Sequence, residues 1–101
     1  MAGPGLAEIN AFVAIAEQRS FAKAALRLGV SVSTLSENLR RLEDRLGVRL
    51  IERSTRSVAA SEAGERLLAR LRPLLDDYED AFESISEFRN KPSGQIGRAH
   101  V

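Results

Sequence analysis

Two serines suited to start helices and two glycines suited to end them divide the central part of this chain. Ser20 and Ser31 have side chains that accept a hydrogen bond from the backbone at a helix N-terminus. Gly29 and Gly47 suit the left-handed conformation that ends a helix. The pattern predicts a short helix, a tight turn and a longer helix over about 32–46. This arrangement is a helix-turn-helix, and it narrows the possible folds more than any other feature of the sequence.

Apolar residues at helical spacing support these two helices and predict another before them. The longer helix has one apolar face, made of four leucines spaced four, three and four residues apart. A first helix is predicted over about 6–18, before Arg19 and Ser20 interrupt the pattern. The apolar positions of the three helices, in chain order, are Leu6, Ile9, Phe12, Val13 and Ala16; then Phe21, Ala24, Ala25 and Leu28; then Leu35, Leu39, Leu42 and Leu46.

Two short extended runs follow the third helix. Residues 48–53 and 57–60 flank Ser54-Thr55-Arg56, which has the composition of a turn, and together they predict a two-stranded hairpin. Ser61 then caps a long helix predicted over about 62–89, with acidic residues in its first turn that suit the helix dipole. The order of elements indicates a mostly α fold: a winged helix-turn-helix, with three helices and a two-stranded wing, followed by a long dimerisation helix.

The long helix carries a heptad seam of apolar residues over about three repeats. At about 1.5 Å per residue it extends for about 40 Å, too far to be covered by so small a domain. We therefore expect a second copy of the helix to cover the seam in a homodimer, although a helix folded back on its own domain would leave a monomer. Pro73 should bend the helix or weaken one of its hydrogen bonds. The expected dimerisation residues are Leu67, Leu71, Leu74, Tyr78, Ala81, Phe82, Ile85 and Phe88.

The net charge of +1 hides an uneven distribution of charge along the chain. Residues 19–56 carry nine basic and four acidic groups, whereas residues 62–90 carry eight acidic and four basic groups. The first segment suits a polyanionic partner, and the second segment would repel one. Two solvated surfaces of opposite sign would give the same pattern, so charge alone leaves both interpretations open.

Catalysis and metal binding find little support in the sequence. The chain has no cysteine and a single histidine, His100, so disulfides and thiolate metal sites are excluded and a reducing cytoplasm is compatible. No metal-ligand spacing and no glycine-rich phosphate loop occurs. No run of about 18 apolar residues occurs, and the first residues lack the features of a signal peptide. We expect no enzyme activity, no metal and no cofactor in this chain, no membrane partner, and a cytoplasmic location.

The first part of the third helix is the expected DNA-reading element, because in a helix-turn-helix the second helix enters the major groove. Small polar residues there let the backbone approach bases and phosphates closely. The candidate DNA-binding residues of the helix-turn-helix, which spans Phe21 to Arg40, are Lys23, Ser31, Val32, Ser33, Thr34, Ser36, Glu37, Arg40 and the adjacent Arg41. The candidate wing residues, which would contact the DNA backbone or minor groove, are Arg49, Arg53, Thr55 and Arg56. An ordinary helical hairpin with a serine-rich cap is the alternative.

A series of motifs resembles the N-terminal region of LysR-type bacterial transcriptional regulators. In chain order the motifs are Ala11-Phe12-Val13-Ala14-Ile15-Ala16-Glu17, Ser20-Phe21-Ala22-Lys23-Ala24-Ala25, Leu28-Gly29-Val30-Ser31, Thr34-Leu35-Ser36, Arg41-Leu42-Glu43, Leu46-Gly47-Val48-Arg49-Leu50, Arg53-Ser54-Thr55-Arg56-Ser57-Val58 and Ser61-Glu62-Ala63-Gly64. The similarity covers roughly residues 6–90 and keeps the family's order and spacing. It implies transcriptional regulation by DNA binding, with the second helix of the motif in the groove and the long helix paired antiparallel with that of another chain.

The resemblance also implies a domain division and further partners. It assigns residues 6–61 to a DNA-binding domain, 62–89 to a linker and dimerisation helix, and 90–101 to a hinge towards an effector domain. Members of the family usually bind a small-molecule inducer in such a domain, and full-length members are often tetramers. The inducer site would lie outside this chain, which we interpret as a fragment.

Two positions depart from the family's usual pattern. Val32 stands where the family usually has glutamine, and valine can touch a thymine methyl group but cannot hydrogen-bond a base. Glu37 stands where a basic residue is common. It can accept from a cytosine amino group, or face water near Arg40 or Arg41.

We expect sequence-specific binding of double-stranded DNA by a homodimer. Phosphate contacts are assigned to Lys23, Arg53, Thr55, Arg56 and the helix caps, and sequence preference to Val32, Ser33, Thr34, Glu37 and Arg40. The alternatives are a winged-helix module that binds only protein, and an enzyme fragment whose active site lies in other sequence.

Overall fold

A computed structural model describes residues 3–89 of the chain. Three helices are followed by a two-stranded antiparallel hairpin and a fourth helix. The helices are α1 (Leu6–Gln18), α2 (Phe21–Leu28), α3 (Val32–Leu46) and α4 (Glu62–Arg89), and the strands are β1 (Ile51–Arg53) and β2 (Val58–Ala60). This order of elements confirms the expected winged helix-turn-helix. The hinge expected at residues 90–101 lies outside the described residues.

Local capping sets the boundaries of the first three helices. Ser20 and Ser31 each accept, through Oγ, a hydrogen bond from the backbone N–H three residues further on, both at 3.1 Å. Gly29 and Gly47 have φ values of 70° and 75°, the left-handed region in which a side chain is costly. The predicted helix starts after Ser20 and Ser31 and the predicted helix ends at Gly29 and Gly47 are therefore confirmed. Arg19 ends α1 in the same region, with a φ of 54°.

A single apolar core joins α1, α3 and the start of the wing. The largest fully buried side chains are Phe12, Ile15, Leu35, Leu39, Leu42, Leu50 and Ile51. Full burial of such a side chain contributes about 1.5–3 kcal/mol, so this core fixes α3 against α1. Leu46, which the sequence placed on the same apolar face, is 44% exposed because it lies in the last turn of the helix.

Strand β1 is three residues long, whereas the sequence predicted a strand over 48–53. The backbone N–H groups of Leu50 and Ile51 both donate to one carboxylate oxygen of Glu43 on α3, at 2.7 and 3.1 Å. The chain just before β1 is therefore bonded to a helix instead of to a partner strand. The prediction was wrong for residues 48–50, and β2 likewise starts one residue later than predicted, after Ser57.

Ser61 and Gly64 join the start of α4 to the same segment. Ser61 Oγ donates to the carbonyl of Arg49 at 2.6 Å and accepts from the N–H of Gly64 at 3.0 Å, which confirms the predicted cap. The N–H of Ser61 donates to the carbonyl of Leu50 at 2.8 Å. A Cβ atom at Gly64 would overlap that carbonyl oxygen, so only glycine lets the helix approach this closely.

The described chain divides into two compact units, and the division falls after Leu68 in α4. The first unit holds α1, α2, α3, the hairpin and the first turns of α4, where Gly64 and Leu68 are buried. The second unit contains the rest of α4, which continues through Pro73 to Arg89 and is mostly exposed. Among the described residues, no helix combines the length and the apolar character needed to cross a membrane.

Candidate nucleic-acid interface

The first turn of α3 presents a cluster of small polar side chains. Ser31 Oγ donates to Thr34 Oγ1 at 3.0 Å and lies 3.4 Å from Ser33 Oγ. These three residues are exposed, and Val32 beside them is 46% exposed. Ser36, predicted as part of the same set, is only partly exposed. The turn therefore offers hydroxyl groups and one apolar side chain to a ligand that comes close to the backbone.

One turn further along α3, the charged residues separate into paired and unpaired groups. Glu37 and Arg41 form an ion pair at 3.5 Å, with both side chains more than half exposed. Such an exposed pair contributes only about 0.3–0.5 kcal/mol, so a ligand can separate it at little cost. Arg40 is exposed and has no carboxylate partner among residues 3–89. Its full positive charge is therefore available.

Among residues 3–89, the nine basic residues of the segment 19–56 fall into a group that forms ion pairs and a group that does not. Three of them bind carboxylates: Arg27 binds Glu17 at 3.0 Å, Arg41 binds Glu37 at 3.5 Å, and Arg45 binds Glu8 at 3.7 Å. The other six have no carboxylate partner within the described chain, and they are Arg19, Lys23, Arg40, Arg49, Arg53 and Arg56. Apart from Arg19, which ends α1, these residues belong to the helix-turn-helix and the wing, where their uncompensated charge favours an anionic ligand.

An open groove of about 540 Å³ lies between the second half of α3 and the start of the wing. Its lining residues are Arg40, Glu43, Asp44, Gly47, Val48, Arg49 and Arg53. Its three arginines outnumber the two carboxylates of Glu43 and Asp44, and one carboxylate oxygen of Glu43 already accepts two backbone N–H groups. The groove therefore suits phosphate groups better than it suits a neutral or cationic ligand.

The wing is tied to the helix-turn-helix by a contact between Arg53 and Phe21. Successive strand residues point to opposite faces, so Arg53 shares the face of Ile51, which is buried in the core. The guanidinium carbon of Arg53 lies 4.7 Å from the centroid of the Phe21 ring, at the start of α2. This is the geometry of a cation–π contact. In the sequence Phe21 is only an apolar position of the second helix, and nothing local to it indicates this contact.

The tip of the wing is held by Ser54. Its Oγ accepts hydrogen bonds from the backbone N–H groups of Arg56 and Ser57, at 3.2 and 3.1 Å, and its own N–H donates to the carbonyl of Ser57 at 2.8 Å. Thr55 and Arg56 are both exposed at this tip. Two of the four expected wing residues, Thr55 and Arg56, thus lie on a constrained turn, whereas Arg53 ends β1 and Arg49 precedes that strand.

Seven of the eight expected dimerisation residues lie in the second unit, where most of them are exposed, and Leu67 lies in the first unit. Five of them are between 46% and 63% exposed, and they are Leu74, Tyr78, Phe82, Ile85 and Phe88. Leu67 and Leu71 are partly exposed, and Ala81 is exposed. The rings of Tyr78 and Phe82 meet edge to face, with their centroids 4.9 Å apart.

A helix-turn-helix whose second helix opens on exposed small polar residues, beside an arginine-bearing hairpin, defines a winged helix-turn-helix of the DNA-binding class. Residues 6–65 match the family model described as bacterial regulatory helix-turn-helix protein, lysR family. The chain therefore belongs to the LysR family of transcriptional regulators. This confirms the resemblance drawn from the sequence, and it confirms that the chain is a regulator's DNA-binding domain and not an enzyme.

Curated relatives agree with this assignment. The chain is 52% identical over 91 residues to the HTH-type transcriptional regulator PgrR of Escherichia coli strain K12. The matched segment covers 90% of this chain and 30% of that protein. It is 47% identical over 89 residues to a probable hydrogen peroxide-inducible genes activator of Mycobacterium xenopi. That match covers 88% of this chain and 47% of that protein. The chain spans about 30% of the length of PgrR and of several other relatives.

Solved structures share the fold. Oxidised OxyR of Corynebacterium glutamicum superposes with a TM-score of 0.77 at 45% identity, over 88% of this chain and 27% of that chain. The BenM DNA-binding domain in complex with catB site 1 DNA superposes with a TM-score of 0.75 at 28% identity, over 87% of this chain and 98% of that one. These similarities confirm the predicted winged helix with its long last helix.

Proposed function

We propose that the chain binds double-stranded DNA in a sequence-specific manner, as a homodimer, to regulate transcription in the bacterial cytoplasm, where the chromosome lies. The observation that carries this proposal is that five of the uncompensated basic residues lie on the helix-turn-helix and wing, the same elements that carry the exposed polar turn of α3. The proposal is also supported by the likeness to the BenM domain, which was solved as a DNA complex.

In this proposal, the wing and α2 hold the DNA backbone, while the start of α3 reads the bases. Phosphates have no sequence information, so contacts to them set the register and orientation of the protein. The exposed residues proposed for the backbone are Lys23, Arg53, Thr55 and Arg56. Those proposed for base edges, together with exposed Val32, are Ser33, Thr34, Glu37 and Arg40.

Each proposed base contact requires a side chain that is exposed and free to leave its present partner. Val32 is exposed enough to meet a thymine methyl group. Glu37 must leave Arg41 before it can accept from a cytosine amino group, and their exposed pair is weak enough to allow this. Arg40 has no carboxylate to leave within residues 3–89, so it is the strongest candidate for a bidentate bond to guanine.

The dimer follows from the apolar face of α4. Full burial of an exposed side chain of this kind contributes about 1.5–3 kcal/mol, and these five are each about half exposed, so covering them with a second copy would supply part of that free energy at every position. Charge favours an antiparallel pairing, since basic residues lie near the start of the helix and acidic residues lie beyond its middle. The basic set is Arg66, Arg70 and Arg72, and the acidic set is Asp76, Asp77, Glu79, Asp80 and Glu83. Two domains held this way would bind the two halves of an inverted repeat.

Replacement of Arg40 tests the proposed reading of bases. A duplex is first selected from a random library with the wild-type chain, and affinities are then measured for it and for single-base variants. If Arg40 binds a guanine bidentately, Arg40→Ala should cost roughly 1–3 kcal/mol and relax the preference at one base pair. Arg27→Ala is the matched control, because Arg27 is already paired with Glu17.

The pattern of loss separates the possible roles of Arg40. A uniform loss on every duplex would place Arg40 on a phosphate instead of a base. Unchanged affinity and unchanged preference would remove Arg40 from the interface and contradict the proposal for this residue.

A further inference from the structure

We infer that Phe21 is a positioning residue for DNA binding, because its ring holds the wing arginine Arg53 at the DNA-facing surface. The inference rests on the proposed function. It concerns a residue that makes no DNA contact of its own in the proposal and acts through Arg53. The observation behind it is the 4.7 Å separation between the guanidinium carbon of Arg53 and the ring centroid of Phe21.

Arg53 needs an external restraint. It is the last residue of a strand of only three residues and is followed directly by the tip of the wing. Within residues 3–89 its guanidinium forms neither an ion pair nor a hydrogen bond to another side chain. It lines one groove with the like charges of Arg40 and Arg49 and with the carboxylates of Glu43 and Asp44, neither of which pairs with it in the described chain. The contact that the structure does show for its guanidinium is the Phe21 ring.

Phe21 is well placed to act as a fixed support. It is the first residue of α2, directly after the capping Ser20, and its side chain is only partly exposed. The helix that carries it is anchored by Ala24 and Ala25, which are buried. A ring on such a helix keeps its position while the wing adjusts to a ligand.

An aromatic face holds an arginine without consuming the groups that bind phosphate. A carboxylate partner would occupy the N–H donors and cancel the charge, as happens to Arg27 beside Glu17. An uncharged ring against the guanidinium does not cancel its charge and takes none of its N–H donors as a carboxylate would. The contact therefore orients Arg53 and keeps it competent for the phosphate backbone of a duplex.

A double-mutant cycle on DNA affinity tests the inference. The variants are Phe21→Leu, which removes the ring but keeps an apolar side chain, Arg53→Ala, and the two combined, all assayed on one selected duplex. Phe21→Leu should weaken binding roughly two- to five-fold, the fold-change that corresponds to an exposed cation–π contact. It should have no effect when Arg53 is already replaced. Arg53→Ala itself should flatten the log–log salt dependence by about 0.9 per subunit.

Conservative replacement separates positioning from a structural role. Phe21→Tyr keeps the ring and should bind as the wild type does. A loss from Phe21→Leu that is equally large with and without Arg53 would overturn the inference, as would a failure of Phe21→Tyr to restore binding. If the wild-type chain shows no salt-dependent DNA binding at all, the proposed function fails and this inference fails with it.

A spectroscopic measurement on the wild-type chain keeps the inference testable should Phe21→Leu not fold. The Nε–H resonance of Arg53 should carry the ring-current shift of a stacked guanidinium in the free chain, and it should keep that shift when the duplex is bound. Loss of the shift on binding would mean that Arg53 leaves the ring to reach DNA, which would overturn the inference.

Discussion

Glu43 links the recognition helix to the wing, and its replacement gives the clearest test of how this domain is held together. One of its carboxylate oxygens accepts the N–H groups of Leu50 and Ile51, at 2.7 and 3.1 Å, in a partly buried setting. Glu43→Ala would leave both groups without this partner. Because Ile51 begins β1, the change should loosen the wing as well as lower the stability of the whole domain.

The expected magnitude follows from these two hydrogen bonds. A hydrogen bond to a charged group contributes about 1.5–3 kcal/mol net, but the two donors share one oxygen, and water can partly replace it. Alanine returns a few tenths of a kcal/mol through its higher helix propensity. We therefore expect a loss of about 2–3 kcal/mol in the free energy of unfolding. For a domain of this size, this corresponds to a fall of roughly 10–20 °C in the melting temperature. Glu43→Gln, which keeps an acceptor oxygen without the charge, should lose about half as much.

Thermal unfolding followed by circular dichroism measures this difference. All variants are compared at one protein concentration, since dimerisation would make the melting temperature depend on concentration. Asp44→Ala is the matched control: Asp44 is the next residue of α3, it is acidic and exposed, and it should change the stability by less than about 0.5 kcal/mol. If Glu43→Ala and Asp44→Ala melt within two or three degrees (roughly 0.5 kcal/mol) of each other, the reasoning about Glu43 is refuted.

The remaining predictions concern the wing and the long helix. Replacement of both Arg53 and Arg56 by alanine should weaken binding to every duplex and flatten the log–log salt dependence by about one to two units per subunit; an unchanged slope would place both side chains in solvent. The wild-type chain should sediment as a dimer at micromolar concentration, and Leu74→Asp with Ile85→Asp should sediment as a monomer. Ser84→Asp, on the same helix but outside the apolar face, should leave the dimer intact. A monomeric wild type, or an undisturbed dimer in the double variant, would count against the proposed assembly, and a species larger than a dimer would show that the α4 pairing is not the whole assembly.

The sequence predicted the helices well because their boundaries are set locally. A capping serine and a left-handed glycine act within a few residues, so Ser31 and Gly47 mark the two ends of α3 without knowledge of the fold. The ends of α4 are also as predicted, from the cap at Ser61 and the apolar repeat that follows it.

Contacts between residues distant in the chain could not be read from the sequence. The predicted first strand was too long because Glu43 takes up backbone donors that an extended run would give to a partner strand. The contact of Arg53 with Phe21 joins the wing to α2, and no local pattern indicates it. Similarly, the sequence gives the list of basic residues but not which of them are neutralised, as Arg45 is by Glu8 from α1.

The most direct test of the account is the affinity of the wild-type chain for its selected duplex relative to a scrambled duplex of the same composition, measured at one fixed salt concentration. The salt concentration must be fixed because the affinity that phosphate contacts provide falls steeply as the salt concentration rises. If the exposed turn of α3 reads bases while the unpaired arginines hold phosphates, the selected duplex should bind roughly 10³-fold more tightly or better. Equal affinity for the two duplexes would contradict sequence-specific recognition and would leave only the attraction between a basic surface and a polyanion.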